Sequence, residues 1–155
     1  MTNRTEKLRQ YITENIFDIK NIERSCAINN HIYAVSQFCA MIALKRGQNA
    51  ELATIAGMLH DIHTLKTLDS KDHAIKGSKL AKEILDILKI TSDEETEIIC
   101  QAIYNHTNKK DKHSEFIEVL VDADVIQHYL YNIELPISEQ EKNRLDQLKK
   151  EFGLC

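Results

Sequence analysis

The sequence predicts an all-α protein: a compact single-domain bundle of six to seven helices. Three observations carry this. The chain has four Gly and one Pro in 155 residues, where average usage of the two together is about 12%. So few breakers cannot supply the tight turns of a β-sandwich or barrel. Apolar residues recur at spacings of three and four, not two, in nearly every segment. Hydrophobic residues make up 43% and charged residues 28%, which excludes a disordered or fibrous chain. No composition shift marks a boundary, so residues 1–155 read as one domain, with a core at about 25–132 and a C-terminal helix at about 138–152.

Each element follows from its own pattern. Residues 3–17 form a first helix with Leu8, Tyr11, Ile12 and Ile16 on one face. Residues 21–46 form a long second helix, striped by Ile28, Val35, Phe38, Cys39 and Ile42 and stopped at Arg46-Gly47. Asn49 caps a third helix reaching about residue 63, with Leu52, Ile55, Ala56 and Leu59 inward. Residues 64–70 read as a polar connector. A fourth helix spans about 71–89, with Leu80, Ala81, Ile84 and Leu88 inward. Ser92 and Glu95 make a capping box for a fifth helix to about residue 106. After the basic loop 107–112, a sixth helix covers about 114–132, with Ile117, Leu120 and Val121 inward. Pro136 breaks the chain, and Ser138 with Glu141 caps a last helix to about 152 carrying Leu145, Leu148 and Phe152.

Charge and cysteine usage narrow the function classes. A net charge of −4 and a pI of about 6.0 argue against a general basic surface for a nucleic-acid polymer. The N-terminus lacks a signal-peptide pattern and no apolar run approaches membrane-spanning length, so no membrane partner is expected. Cys26, Cys39, Cys100 and Cys155 show no CxxC spacing and read as buried or terminal free thiols of a cytoplasmic protein. Monomer and homo-oligomer are both open.

The polar residues on the inward stripes carry the chemistry. His31 continues Ile28 and Val35; His60 follows Ala56; His73 leads Gly77, Leu80 and Ile84; His106 follows Ala102 and Ile103; Asp124 follows Leu120 and Val121. Five helices thus each place an ionisable group inward. A buried carboxylate is costly unless paired or metal-bound, and a divalent cation would both neutralise Asp124 and accept the imidazole lone pairs. Asp61, beside His60 on a helix end, can reach the same ion or bridge two. A single inward His is more often a satisfied core residue, so the weight lies in the set. His128, one turn past Asp124, reads as a supporting group, His63 as lining the cavity mouth, and His113 as a helix-start or surface residue. Asp122 points away from Asp124 and reads as a local ion-pair partner.

The order His31, His60-Asp61, Asp124 on separate helices resembles the HD superfamily of metal-dependent phosphohydrolases. "GMLHDIH" resembles that family's apolar run into His-Asp. "HAIKGSKLAKEIL" resembles its following helix, and "AIYNHTNKKDKHSEFIEVLVDADVI" its closing segment. Within the superfamily the pattern is most similar to bacterial symmetric diadenosine-tetraphosphate hydrolases. The resemblance covers about residues 25–130. It implies that His31, His60, Asp61 and Asp124 form the basic metal-ligand quartet and that His73 and His106 add the pair found in two-metal members. One departure stands out: many members follow His-Asp with Gly or Ala and then a phosphate-facing Lys, whereas here His63 and Thr64 occupy those positions.

The resemblance implies a phosphohydrolase cleaving a phosphoester or phosphoanhydride bond of a nucleotide or dinucleoside polyphosphate by attack of metal-activated hydroxide. His60 and Asp61 are the catalytic pair in this reading, with Asp61 bridging. His63, Lys66, Lys109 and Lys110 are candidate substrate contacts, the lysines otherwise being solvated loop charges. The cofactor is one or two divalent ions, and an imidazole–carboxylate set suits Fe, Mn, Co, Ni or Zn, with Mg a further option. The alternatives are a di-iron oxygenase on the same scaffold and a non-catalytic metal- or nucleotide-binding regulator. Nothing resembles GxSxG, GxxxxGK or GxGxxG.

Overall fold

Helical period and end signals divide the chain into the segments seen in the computed structural model, which describes residues 3–154. The helices are α1 Arg4–Asn15, α2 Ile22–Arg46, α3 Ala50–Leu59, α4 Ile62–Thr67, α5 His73–Leu88, α6 Asp93–Asn105, α7 Glu115–Tyr131 and α8 Glu139–Phe152, with a 3₁₀ turn at Ile19–Asn21. Seven are ten residues or longer and α4 has six; no strand occurs among the described residues. The architecture is all-α.

Several ends form as the sequence indicates. Asn49 accepts from the backbone N–H groups of Glu51 and Leu52. Ser92 and Glu95 close a reciprocal capping box. Gly47 ends α2 at φ 68°, in the left-handed region that glycine enters without strain. Two expectations change. The connector expected over 64–70 starts as helix α4, because Ile62 and Leu65 are fully buried and Thr64 nearly so; burial outweighs the polar local composition. Ser138 makes no side-chain cap for α8. Its hydroxyl instead donates to Glu141 Oε2 at 2.8 Å, since that carboxylate is turned into the interior.

α2 is the spine, packed mainly on α3 and α7, while α5 packs on α6 and α7 on α8. Apolar residues from Leu8 in α1 to Leu148 in α8 share one core. Each such Leu or Ile contributes about 1.5–3 kcal/mol on full burial. The α2–α3 contact is close enough to demand a glycine: a Cβ on Gly57 would lie 2.5 Å from Ser36 Cα. That approach sets the distance between His31 and His60. Cys39 and Cys100 are buried free thiols, but Cys26 is exposed, because its position falls off the α2 stripe. Cys155 lies outside the described residues. Among the described residues no helix is long and apolar enough to cross a membrane.

Candidate metal centre

The His60-Asp61 pair sits at a break between two helices. His60 ends α3 and Asp61 starts α4 with φ −111° and ψ 22°. On a continuous helix, neighbouring side chains diverge by about 100°. The break, which comes before the expected helix end at 63, lets both side chains face one cavity. His73 opens α5, after Asp72 in the left-handed region at φ 54°, and His106 closes α6. His31 and Asp124 project from the middles of α2 and α7.

The four histidines meet in two pairs through Nε2. His31 and His60 Nε2 atoms are 3.0 Å apart, and those of His73 and His106 3.2 Å apart. Each Nδ1 is committed elsewhere. His60 Nδ1 donates to the Gly57 carbonyl at 2.7 Å, His106 Nδ1 to Ile103 at 2.6 Å and His73 Nδ1 to Ser70 at 2.9 Å. His31 Nδ1 donates to Gln127 Oε1 at 2.7 Å. With the proton held on Nδ1, each neutral ring turns an Nε2 lone pair inward, so each pair sets two lone pairs face to face. A shared cation resolves that repulsion, and Nδ1 donation to an oxygen is the arrangement that orients metal-binding imidazoles. Burial, then the neighbouring His60, pulls His31 below the usual range and His106 down to about 4. Both effects favour the neutral, ligating form.

Asp61 divides its oxygens between the pairs. Oδ2 lies 3.6 and 3.7 Å from His31 and His60 Nε2, and Oδ1 lies 3.4 and 3.7 Å from His73 and His106 Nε2. Asp124 Oδ1 lies 3.4 Å from His31 Nε2 and 3.9 Å from His60 Nε2. Asp61 Oδ1 and Asp124 Oδ1 are both buried without a hydrogen-bond partner. Two orphaned carboxylate oxygens facing inward imidazole lone pairs are what a divalent-cation site requires. The residues therefore fit the one or two ions that the sequence suggests. Burial alone would raise Asp124, but Lys109 and then His60 outweigh it and hold the carboxylate well below its usual range.

The sequence-predicted set His31, His60, Asp61, His73, His106 and Asp124 thus lies in one place. The proposed substrate contacts do not join it in the same way. Lys109 is no solvated loop cation: its Nζ donates to Asp124 Oδ2 at 2.7 Å and Glu141 Oε1 at 2.9 Å, so its charge is already matched. Lys66 is exposed. Lys110 is exposed and lines a separate surface cleft with Arg144. His63 Nε2 sits 3.3 Å from Thr67 Oγ1 within α4, and His63 is absent from the lining of the metal cavity. An α-helix of only six residues turns positions 63 and 66 away from the face bearing Asp61. Asp122 pairs with Arg46 at 2.8 Å and Arg144 at 3.0 Å, the local role its helix phase indicates. His113 Nε2 donates to the Asn108 carbonyl at the start of α7.

Three residues with work at the site were not singled out. Gln127 orients His31. Glu141 accepts from Lys109 and from His128 Nδ1 at 2.8 Å, and these bonds lower its carboxyl to about 2 against the opposing effect of burial. Gly57 supplies both the close helix approach and the carbonyl that His60 uses. Glu141 left a trace in the sequence, as the fourth residue of a capping pattern.

The cluster opens into a cavity of about 390 Å³ lined by His31, Asp61, His73, His106, Lys109 and Asp124 with Thr107, His128, Ser138 and Glu141. His31, Asp61, His128 and Glu141 also border a groove of about 880 Å³ between α2 and the 131–137 segment. Its apolar lining includes Ile28 of α2 and Tyr131, Leu135, Pro136 and Ile137 opposite.

Comparison with known proteins identifies the family. The model of the HD domain matches residues 28–149. The chain belongs to the HD domain family. HD domains are generally metal-dependent hydrolases that bind divalent ions. This HD domain is also 32% identical over 127 residues to the Ribonuclease Y of Lawsonia intracellularis (strain PHE/MN1-00), a match covering 79% of the chain. The match spans 22% of that relative's length. No solved structure matches the chain.

Proposed function

We propose that this chain is a metal-dependent phosphohydrolase acting on a small phosphorylated substrate, a nucleotide. The observation that carries the reading is Asp61, which offers one oxygen to each of two imidazole pairs. His31, His60, Asp124 and Asp61 Oδ2 would hold one ion, and His73, His106 and Asp61 Oδ1 the other. Bound divalent ions would supply water of lowered pKa and positive charge facing the phosphoryl oxygens. The chain's own part is to fix that donor set. The Nδ1 bonds lock each ring, and Lys109 occupies Asp124 Oδ2, leaving Oδ1 to the cluster. The cavity leaves room for a phosphoryl group, and the adjoining groove offers apolar walls plus the Asn30 amide to a nucleoside.

Charge supports a small substrate over a nucleic-acid polymer. The groove is lined by Glu23, Asp61 and Glu141 and by no Lys or Arg, so a second polyanionic arm would meet like charge. Ribonuclease Y, by its name, acts on RNA; the groove favours a different substrate here. The test is release of phosphate or nucleotide from mono- and dinucleotides, and of fragments from labelled RNA, with added Mn or Co and without oxygen. Nucleotide hydrolysis is the expected result. Cleavage of RNA alone, or no hydrolysis with either metal, would overturn the proposal.

A further inference from the structure

His128 stands apart from the other surface-facing histidines. It projects from α7 one turn beyond Asp124, and its ring stacks on His31 with centroids 5.5 Å apart and planes 17° apart. Its Nδ1 lies 2.8 Å from Glu141 Oε1. A carboxylate only accepts, so this bond places the proton on Nδ1. With that proton on Nδ1, Nε2 is the nitrogen left to offer a lone pair, and it sits 3.3 Å from Asp124 Oδ1. That oxygen is buried and makes no hydrogen bond. Two electron-rich atoms thus face each other without a proton aligned between them. One ligand atom from each of His31, Asp124 and His128 lies within 4.8 Å of the others.

We infer that His128 is a fifth imidazole ligand, binding a divalent metal ion through Nε2 on the Asp124 side of the cluster and oriented by Glu141 of α8. The inference rests on the metal reading of the site, though not on any particular reaction. It makes the two halves of the centre unequal. The Asp124 side then has three imidazoles and two carboxylates; the other has His73, His106 and one oxygen of Asp61. The ion beside Asp124 is therefore bound the more tightly, and the other is left with open positions for substrate. It also explains why Glu141 leaves the cap of α8: a carboxylate behind an imidazole fixes its tautomer and raises its basicity as a ligand.

The experiment counts ligands directly. Full-length protein saturated with Co(II) is examined by proton NMR for exchangeable, hyperfine-shifted imidazole N–H signals, one for each coordinated ring with a protonated Nδ1. Wild type should show five, and His128→Ala should lose one and bind the tighter Co(II) roughly tenfold or more weakly. Glu141→Ala should weaken the same ion less. His63→Ala, whose ring turns toward Thr67, should keep the wild-type spectrum. Matching thermal melts of the metal-free proteins establish that the variants fold. An unchanged set of signals in His128→Ala, with unchanged Co(II) affinity, would overturn the inference while leaving the phosphohydrolase proposal intact. Absence of nucleotide hydrolysis, with the signal lost, would do the reverse.

Discussion

The histidines of the centre are held in two different ways. His60, His73 and His106 stand at helix ends, and each Nδ1 donates to the backbone carbonyl three residues earlier. His60 and His106 close α3 and α6, where a helix C-terminus leaves carbonyls without partners inside the helix, whereas His73 opens α5 and uses the Ser70 carbonyl of the preceding loop; in each case the carbonyl orients the ring. His31 and His128 stand within helices, where the local carbonyls are already bonded. Their Nδ1 atoms rely on side chains from other parts of the chain, Gln127 and Glu141. Backbone-held ligands therefore depend on where a helix starts or stops. Side-chain-held ligands depend on what packs opposite, and a single substitution can release them.

The largest effect is expected where both kinds of ligand share a residue. Asp61→Ala removes an oxygen from each imidazole pair and should abolish binding of both ions in metal analysis, while Asp122→Ala should leave metal content unchanged. Asp122→Ala would still cost about 1–3 kcal/mol in urea unfolding, because Arg46 and Arg144 lose a buried acceptor. Equal metal loss in the two variants would break the assignment of Asp124 and Asp61 as the inward pair. Next comes Gln127→Leu, which removes the acceptor behind His31 at similar volume. A 10–100-fold loss of metal affinity by titration is expected; an unchanged affinity would show that a mid-helix imidazole needs no side-chain support.

No side-chain truncation can remove the acceptors behind the helix-end histidines, but the helix that carries one can be displaced. Gly57→Ala forces a Cβ onto Ser36 Cα, 2.5 Å away, and should destabilise by about 1–3 kcal/mol with a shift of α3 visible in the amide spectrum. A further effect is on pH. In the metal-free protein, unfolded His106 takes up its proton near 6.5, whereas the buried ring resists until about 4. The unfolded state binds more protons in that window, so stability should be full above 6.5 and fall as the pH drops towards 4. Thermal melts across that range check it, and metal loading should steepen the dependence, since the ligands bind in their deprotonated form.

The sequence by itself determined the helical class, most helix limits and the inward phase of five of the six expected ligands, with Asp61 turned inward by the break between α3 and α4. These are local properties. An apolar stripe of period 3.6 sets the phase of each helix, which is how Asp124 is turned to the cluster and Asp122, equally buried, to Arg46 and Arg144. A Ser-x-x-Glu or Arg-Gly ending is read within one turn. Tertiary structure decided the rest. It turned a polar connector into α4, placed Gln127 behind His31 across 96 residues of chain, and matched Lys109 with Asp124 and Glu141. The two capping patterns show the division most clearly. Ser92 with Glu95 forms its box on an exposed end. Ser138 with Glu141 has the same local form, but a half-buried lysine and an imidazole compete for the carboxylate and win. Charge-assisted bonds in a desolvated site are stronger than a solvent-exposed cap, and which competitor stands nearby is set by the fold and not by the neighbouring residues.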